Sequence, residues 1–335
     1  MNRLVILAPN WLGDAVMALP AVADVHRAAP DAVITVAARA AVAPLFRLVP
    51  HVSEIVVLER PASVGRVSSW RAVGAELAGG GFDTAILLPN SLHAALVAMR
   101  AGIPERWGYR AHWRGQLLTR AVAPTRGLHQ VDYYQHLVHG LGFPNGPIEP
   151  RVTVTAAERG AGARVLGDAG WDCRAPLVAL APGAAFGGAK RWPPARFAAL
   201  ADSLMADGVK TVLIGSTADA GTGAEVLRAA TGSGGILNLI GRTDLPTLAG
   251  VMAACRALVT NDSGAMHLGA AVGIRVTGVF GPTSEDATRP MGDGHAVVTH
   301  PVWCRPCMLR ECPLDHACLL GIGVDAVLDA ARRSL

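Results

Sequence analysis

Leu4-Val-Ile-Leu-Ala-Pro-Asn-Trp-Leu-Gly-Asp14-Ala-Val-Met-Ala-Leu-Pro20 is the stretch whose reading decides the fold. Leu4 to Ala8 is an unbroken apolar run, the pattern of a buried strand in a parallel sheet. The residues after it recur at helical spacing, and Gly13 suits a sharp turn between the two. Asp14 is thereby placed at the carboxyl edge of a sheet, where open α/β folds hold their ligands. Two roles fit a carboxylate there. It can cap the helix, or it can be presented to a substrate.

Working outward, the same alternation continues through the first half. Val33–Ala38, Ile55–Leu58 and Thr84–Leu88 read as strands, and Ala21–Ala29 and Leu92–Ala101 as helices. Strands separated by helix-length segments imply a parallel sheet with crossover helices. Between Gly142 and Pro176 the rhythm breaks over Pro144, Gly146, Pro147 and Pro150, which marks the connection between domains. It then restarts: strands at Leu177–Ala181, Lys210–Ile214, Ile236–Leu239, Ala257–Thr260 and Val276–Phe280, with helices at Pro194–Ala206 and Val324–Arg333. The expected domains are 1–160 and 161–335, with room for the terminal helix to return to the first. No Gly-x-Gly-x-x-Gly follows any of these strands, which argues against a simple dinucleotide dehydrogenase.

At 335 residues the chain is long enough for two domains with separate cores. Hydrophobic residues make up 51% and aromatics 5%, so Ala, Val and Leu build the interior. The longest apolar runs fall well short of the roughly 20 residues of a membrane helix. The first residues lack the basic, apolar and small-residue sections of a signal peptide, so a cytoplasmic location is expected. A formal charge of +4 is too small to argue for nucleic acid. Its distribution is more informative. Arg100, Arg106, Arg110, Arg114, Arg120 and Arg126 stand against one acid, Glu105, with Trp107, Tyr109, His112 and Trp113 interleaved. Guanidinium forks beside aromatic faces suit phosphorylated or carboxylated sugars; single-stranded nucleic acid or a plain solvated basic face fits the pattern too.

Three strand ends of the second half carry polar residues suited to a nucleotide. In Ala181-Pro-Gly-Ala-Ala-Phe-Gly-Gly-Ala-Lys190-Arg-Trp-Pro193, free N–H groups around the glycines and the Lys190 ammonium can cradle phosphates; a surface turn is the alternative. Thr260-Asn-Asp-Ser-Gly-Ala-Met-His267 follows a strand and opens a helix, so Ser263 and the N–H groups near Gly264 can take an anion. His267 shares that helical face with Ser263. Asp262 would repel a phosphate and is assigned a hydroxyl or backbone contact. An ordinary capped helix with a core histidine fits the same residues. Gly281-Pro-Thr-Ser284 brings hydroxyls, Thr283 among them, to the next strand end.

Four of the six cysteines, Cys304, Cys307, Cys312 and Cys318, fall close together with His316. Cys-x-x-Cys is half of a zinc site, but the second pair is spaced more loosely than usual, and free thiols in a surface loop are the other reading. Cys173 and Cys255 read as small core residues.

These stretches together resemble the ADP-heptose:lipopolysaccharide heptosyltransferases, in particular the heptosyltransferase II branch. The resemblance rests on the Gly13-Asp14 turn, Leu88-Pro-Asn-Ser91 with Ala101-Gly-Ile-Pro104, Pro182-Gly183 through Lys190-Arg-Trp-Pro193, Thr260 to His267, and Gly281 to Ser284. It implies an α/β GT-B architecture, two facing Rossmann-like domains with a central cleft. It implies a metal-independent, inverting transfer of heptose from ADP-heptose to a lipid-anchored inner-core acceptor at the inner membrane face, with no cofactor and no nucleic acid. Asp14 becomes the general base and Lys190 the donor-phosphate cation. Gly183, Asp262, Ser263, Gly264, His267 and Thr283 line the donor site; Gly13, Asn90, Arg106, Arg110 and Arg114 are expected on the acceptor. Ala184, Ala185 and Phe186 stand where some relatives carry hydroxyls, so no Ser/Thr phosphate contact carries over. A transferase using another nucleotide-sugar, and a nucleotide-sugar 2-epimerase, are the rival enzymes.

Overall fold

The computed structural model describes residues 2–59 and 69–335. It divides into two compact units, Met1–Val152 and Thr153–Leu335. A boundary at 160 would cut through the helix Ala156–Asp168, which belongs whole to the second unit. Thr155 and Glu158 close a capping box at that helix's start, so the chain is committed to it before residue 160.

The first unit runs β1 (Arg3–Leu7), α1 (Leu12–Met17), α2 (Leu19–Ala28), β2 (Val33–Arg39), β3 (Glu54–Leu58), α3 (Ser69–Ala78), β4 (Thr84–Leu87), α4 (Leu92–Arg100), β5 (Glu105–Tyr109), β6 (Arg120–Val122) and α5 (Gln130–Gly140). The second runs α6 (Ala156–Asp168), β7 (Leu177–Ala181), α7 (Pro194–Ala206), β8 (Lys210–Leu213), α8 (Ala220–Ala229), β9 (Ile236–Asn238), α9 (Leu245–Ala254), β10 (Ala257–Asn261), α10 (Gly264–Val272), β11 (Arg275–Phe280), α11 (Glu285–Thr288), β12 (Ala296–Thr299), α12 (Ala317–Leu320) and α13 (Val324–Arg332).

Each unit is built on a six-stranded sheet whose neighbours all pair in parallel. The orders are β3-β2-β1-β4-β5-β6 and β12-β11-β10-β7-β8-β9. Numbered within its own unit, the second order is the first read backwards, so both sheets are wound alike. In each, the chain leaves the first strand one way and returns to the other side for the fourth, giving one switch point per sheet. These points lie between β1 and β4, paired through Leu4↔Thr84 to Leu7↔Leu87, and between β7 and β10, paired through Val178↔Ala257 to Ala181↔Thr260.

The strands at the switch points are buried along nearly their whole length, which is why they read as apolar runs. β5 and β6 were hidden inside the arginine-rich stretch because Glu105-Arg-Trp-Gly-Tyr109 mixes charge with aromatics. The terminal helix α13 stays in its own unit. Val327, Leu328 and Ala331 join the core that holds Val178, Trp192, Phe197 and Val259.

Candidate active site

Asp14 lies in the first turn of α1, directly after β1 and beside the first switch point. Trp11 occupies the N-cap, and Asp14 is the third helical residue, where a negative charge suits the helix dipole. Gly13 is also helical rather than a separate turn. The Asp14 side chain is half-buried. Tyr134 of α5 is nearby: its phenol is pushed well above the ordinary range, first by burial and then by the Asp14 charge.

On the other side of the switch point, Asn90 donates to the Tyr133 hydroxyl at 2.7 Å and accepts from Arg114 at 3.4 Å. Its amide keeps one N–H and spare acceptor capacity. Arg114 itself is 0% exposed. It donates to the carbonyls of Tyr109 (2.9 Å), Pro89 and Ser91 (3.4 Å), pinning the loop after β4 to the end of β5. Burial lowers its pKa to about 10. Arg106 is tied in the same way, to the carbonyls of Leu117 (2.8 Å), Ile103 (2.7 Å) and Pro104 (2.9 Å). The buried Arg114 fork is spent on backbone oxygens and Asn90, which corrects its expected contact with an acceptor, whereas Arg106 is half-buried and uses only Nε and Nη1 on carbonyls. Arg110, at the carboxyl end of β5, is exposed. Close by, His112 and Trp113 adopt φ of 47° and 63°, and the Trp113 side chain is 97% exposed. Two non-glycine residues in the left-handed region cost about 1–2 kcal/mol each. The buried Arg114 next to them supplies the anchorage.

The donor-type residues of the second unit gather at the second switch point. Trp192, fully buried, donates its indole N–H to Ile322 and its backbone N–H to the Asn261 side chain, both at 3.0 Å. Asn261 also donates to Pro182 at 2.8 Å, so one buried amide ties the loop after β7 to the end of β10. That anchorage places Lys190, two residues before Trp192, against Asp262. The ammonium meets Asp262 Oδ2 at 2.5 Å, and the Thr283 hydroxyl donates to the same oxygen at 2.6 Å. Lys190 is 13% and Asp262 5% exposed, so this is a buried, hydrogen-bonded ion pair. Asp262 and Thr283 thus serve each other and Lys190, and the expected reach of the Thr283 hydroxyl to a ligand is corrected.

Ser263 is the N-cap of α10, and its hydroxyl pairs with Thr260 at 3.1 Å. Gly264 opens the helix and His267 is buried on it. A Cβ at Gly183 would meet the Asp219 carboxylate, which would have to shift to admit it. The glycine loop is less open than its sequence suggests. The N–H groups of Gly188, Ala189, Lys190 and Arg191 go to Glu311, Arg310, Gly187 and Gly188. Sequence reasoning overlooked Asn261 and the segment that carries Arg305, Arg310 and Glu311. Asn261 was visible as an amide at a strand end; the others are distant in sequence and gave no signal.

The chain matches the model for glycosyltransferase family 9 (heptosyltransferase) over residues 70–318. It belongs to that family. Asp14 precedes the matched span, while Lys190 and the second switch point lie inside it. Lipopolysaccharide heptosyltransferase 2 of Salmonella typhimurium is 32% identical over 307 residues, 88% of this chain and 87% of that one. The structure of E. coli ADP-heptose lps heptosyltransferase II superposes with a TM-score of 0.86 at 30% identity, covering 100% of this chain and 98% of that one. A glycosyl transferase family 9 structure from Veillonella parvula, at 23% identity, shares the fold with a TM-score of 0.88. The GT-B class implied by the motifs is thus the observed one, and this family 9 chain is a glycosyltransferase.

The cysteine-bearing segment has no long helix or strand. Cys304, Cys307 and Cys312 are half-buried and Cys318 buried. Burial raises the Cys318 thiol, and the other three are near enough to add to the effect. Among the described residues, no three His, Cys, Asp or Glu side chains are arranged to hold a metal ion. Cys255 is buried as expected, whereas Cys173 is exposed at φ 58°, a correction to its reading as a core residue. No helix among the described residues is long and apolar enough to cross a membrane.

Proposed function

We propose that this family 9 glycosyltransferase moves L-glycero-D-manno-heptose from ADP-heptose to the lipopolysaccharide inner core, adding the second heptose with inversion. The observation that carries the reading is the pair of switch points, one with a carboxylate (Asp14) and the other with a buried ammonium (Lys190). The similarity to enzymes named lipopolysaccharide heptosyltransferase 2 supports the choice of donor and acceptor.

In the proposed step the acceptor hydroxyl attacks the anomeric carbon while Asp14 takes its proton. The bond from that carbon to the diphosphate oxygen breaks, and ADP leaves with the electron pair. Lys190 and the start of α10 at Ser263 and Gly264 face the charge that gathers on the diphosphate. Gly183 and His267 shape the same pocket, and Asp262 with Thr283 holds the ammonium in place. On this reading the Lys190 donor and the start of α10 meet the leaving group, and no metal or cofactor is called on. Asn90 and Arg110 take the acceptor, with Gly13 bringing α1 close to it.

The acceptor is lipid-anchored, so the protein works at the cytoplasmic face of the inner membrane without crossing it. An exposed indole at Trp113 beside Arg110 suits that surface. Nucleic acid is no part of this reading. Mass spectrometry of truncated lipopolysaccharide incubated with ADP-heptose and enzyme tests it. One added heptose supports the proposal. Product only with another nucleotide-sugar, or isomerisation of a UDP-sugar without acceptor, would replace it.

A further inference from the structure

The positive charge at the second switch point is smaller than the sequence implies. Lys190 is matched by Asp262 at 2.5 Å, so the two together present little net charge to a diphosphate. The N–H groups of Gly188, Ala189, Lys190 and Arg191 already have protein acceptors. A second cation is delivered from far along the chain. Arg310 lies in the segment between β12 and α12, which is laced to both donor loops. Ala189 donates to the Arg310 carbonyl at 3.0 Å, and Gly188 to Glu311 at 3.2 Å. Met308 donates to Pro282 at 2.9 Å, and Arg305 to Gly281 at 2.7 Å, Thr283 at 3.1 Å and Glu285 at 2.7 Å. A Cβ at Gly187 would overlap the Arg310 carbonyl, so that glycine permits the close approach. The Arg310 guanidinium carbon then stands 5.2 Å from the centre of the Phe186 ring, and the Lys190 ammonium 4.6 Å from the same centre. One aromatic ring thus gathers both cations.

We infer that Arg310 is a second binding residue for the donor's diphosphate, placed there by the cysteine-bearing segment and not by the glycine loop. The inference rests on the nucleotide-donor reading and extends it. A planar guanidinium can take two phosphate oxygens at once, which a lysine cannot. The Arg310 side chain is also exposed. Glu311 places a carboxylate on the same loop, where it accepts from the Gly188 N–H at 3.2 Å.

Calorimetry of the full chain with ADP, AMP and adenosine tests this. Arg310→Gln should weaken ADP about tenfold or more, AMP less, and leave adenosine unchanged. Arg310→Lys should recover part of the loss. Because Arg310 holds Ala189 through its backbone carbonyl, neither change removes that contact. ADP affinity within about twofold of the original in both variants would overturn the assignment. An equal loss for all three ligands would also overturn it, since that is the mark of a loosened loop. Should the unaltered protein bind ADP while the variants do too, the donor reading survives and only the Arg310 role falls. If it binds no adenine nucleotide, both fall together.

Discussion

Replacing Lys190 by Ala separates what the buried pair does for folding from what it does for the ligand. Without the ammonium, Asp262 keeps the Thr283 hydroxyl at 2.6 Å but loses its counter-charge in a site only 5% exposed. Removing one partner of a buried pair costs about 3–5 kcal/mol. Truncating Lys190 opens a path for water from its own, 13% exposed, side, which places the expected loss near the lower end, about 3 kcal/mol. The double change Lys190→Ala with Asp262→Asn leaves no lone charge and should recover most of that stability. ADP binding should behave differently. A hydrogen bond to a charged group contributes about 1.5–3 kcal/mol, so ADP should weaken roughly tenfold to a hundredfold in the single and double variants alike. Urea unfolding monitored for the second unit gives the first quantity, and calorimetry with ADP the second. A double variant that is stable and binds ADP as tightly as the original would refute the role of Lys190 as the donor cation.

Arg110→Ala should raise the KM for acceptor and spare donor affinity, whereas Arg114→Ala should instead destabilise the first unit by about 3 kcal/mol or more, because it orphans several carbonyls at once; thermal unfolding beside acceptor kinetics checks both, and the reverse pattern would contradict the assignment. The first unit should also lose stability as pH falls below about 6.5. Burial is the largest cause lowering His51, His93 and His139, with Arg39 adding to it at His93 and Asp24 opposing it at His139. The folded state therefore favours neutral imidazoles, and the unfolded chain takes up protons first on acidification. Hydrogen exchange at pH 7.5 and 5.5 follows this, and a unit equally or more protected at the lower pH would count against it.

The strands at the two switch points were the most legible from sequence because they are buried along nearly their whole length. Leu177–Ala181 and the helix Pro194–Ala206 fall where their patterns place them. The Rossmann-like winding of both halves followed from the alternation alone. The arginine-rich stretch misled, since a guanidinium bound to carbonyls inside a loop and one facing solvent have the same letter. Only the tertiary course of Pro89 to Ser91 makes Arg114 structural. The meeting of Lys190 with Asp262, 72 residues apart, and of Phe186 with Arg310 depends on which strands adjoin, a matter no local pattern carries. Asp14 was legible as a position at a sheet edge, but only the fold makes it the third residue of α1, with Trp11 at the N-cap.

The account depends most on the Asp14 carboxylate accepting a proton during transfer. Turnover of ADP-heptose and truncated lipopolysaccharide by Asp14→Asn, measured with ADP affinity on the same preparation, addresses it directly. The account predicts transfer lower by roughly a hundredfold or more with ADP affinity unchanged. Near-normal transfer by that variant would contradict it.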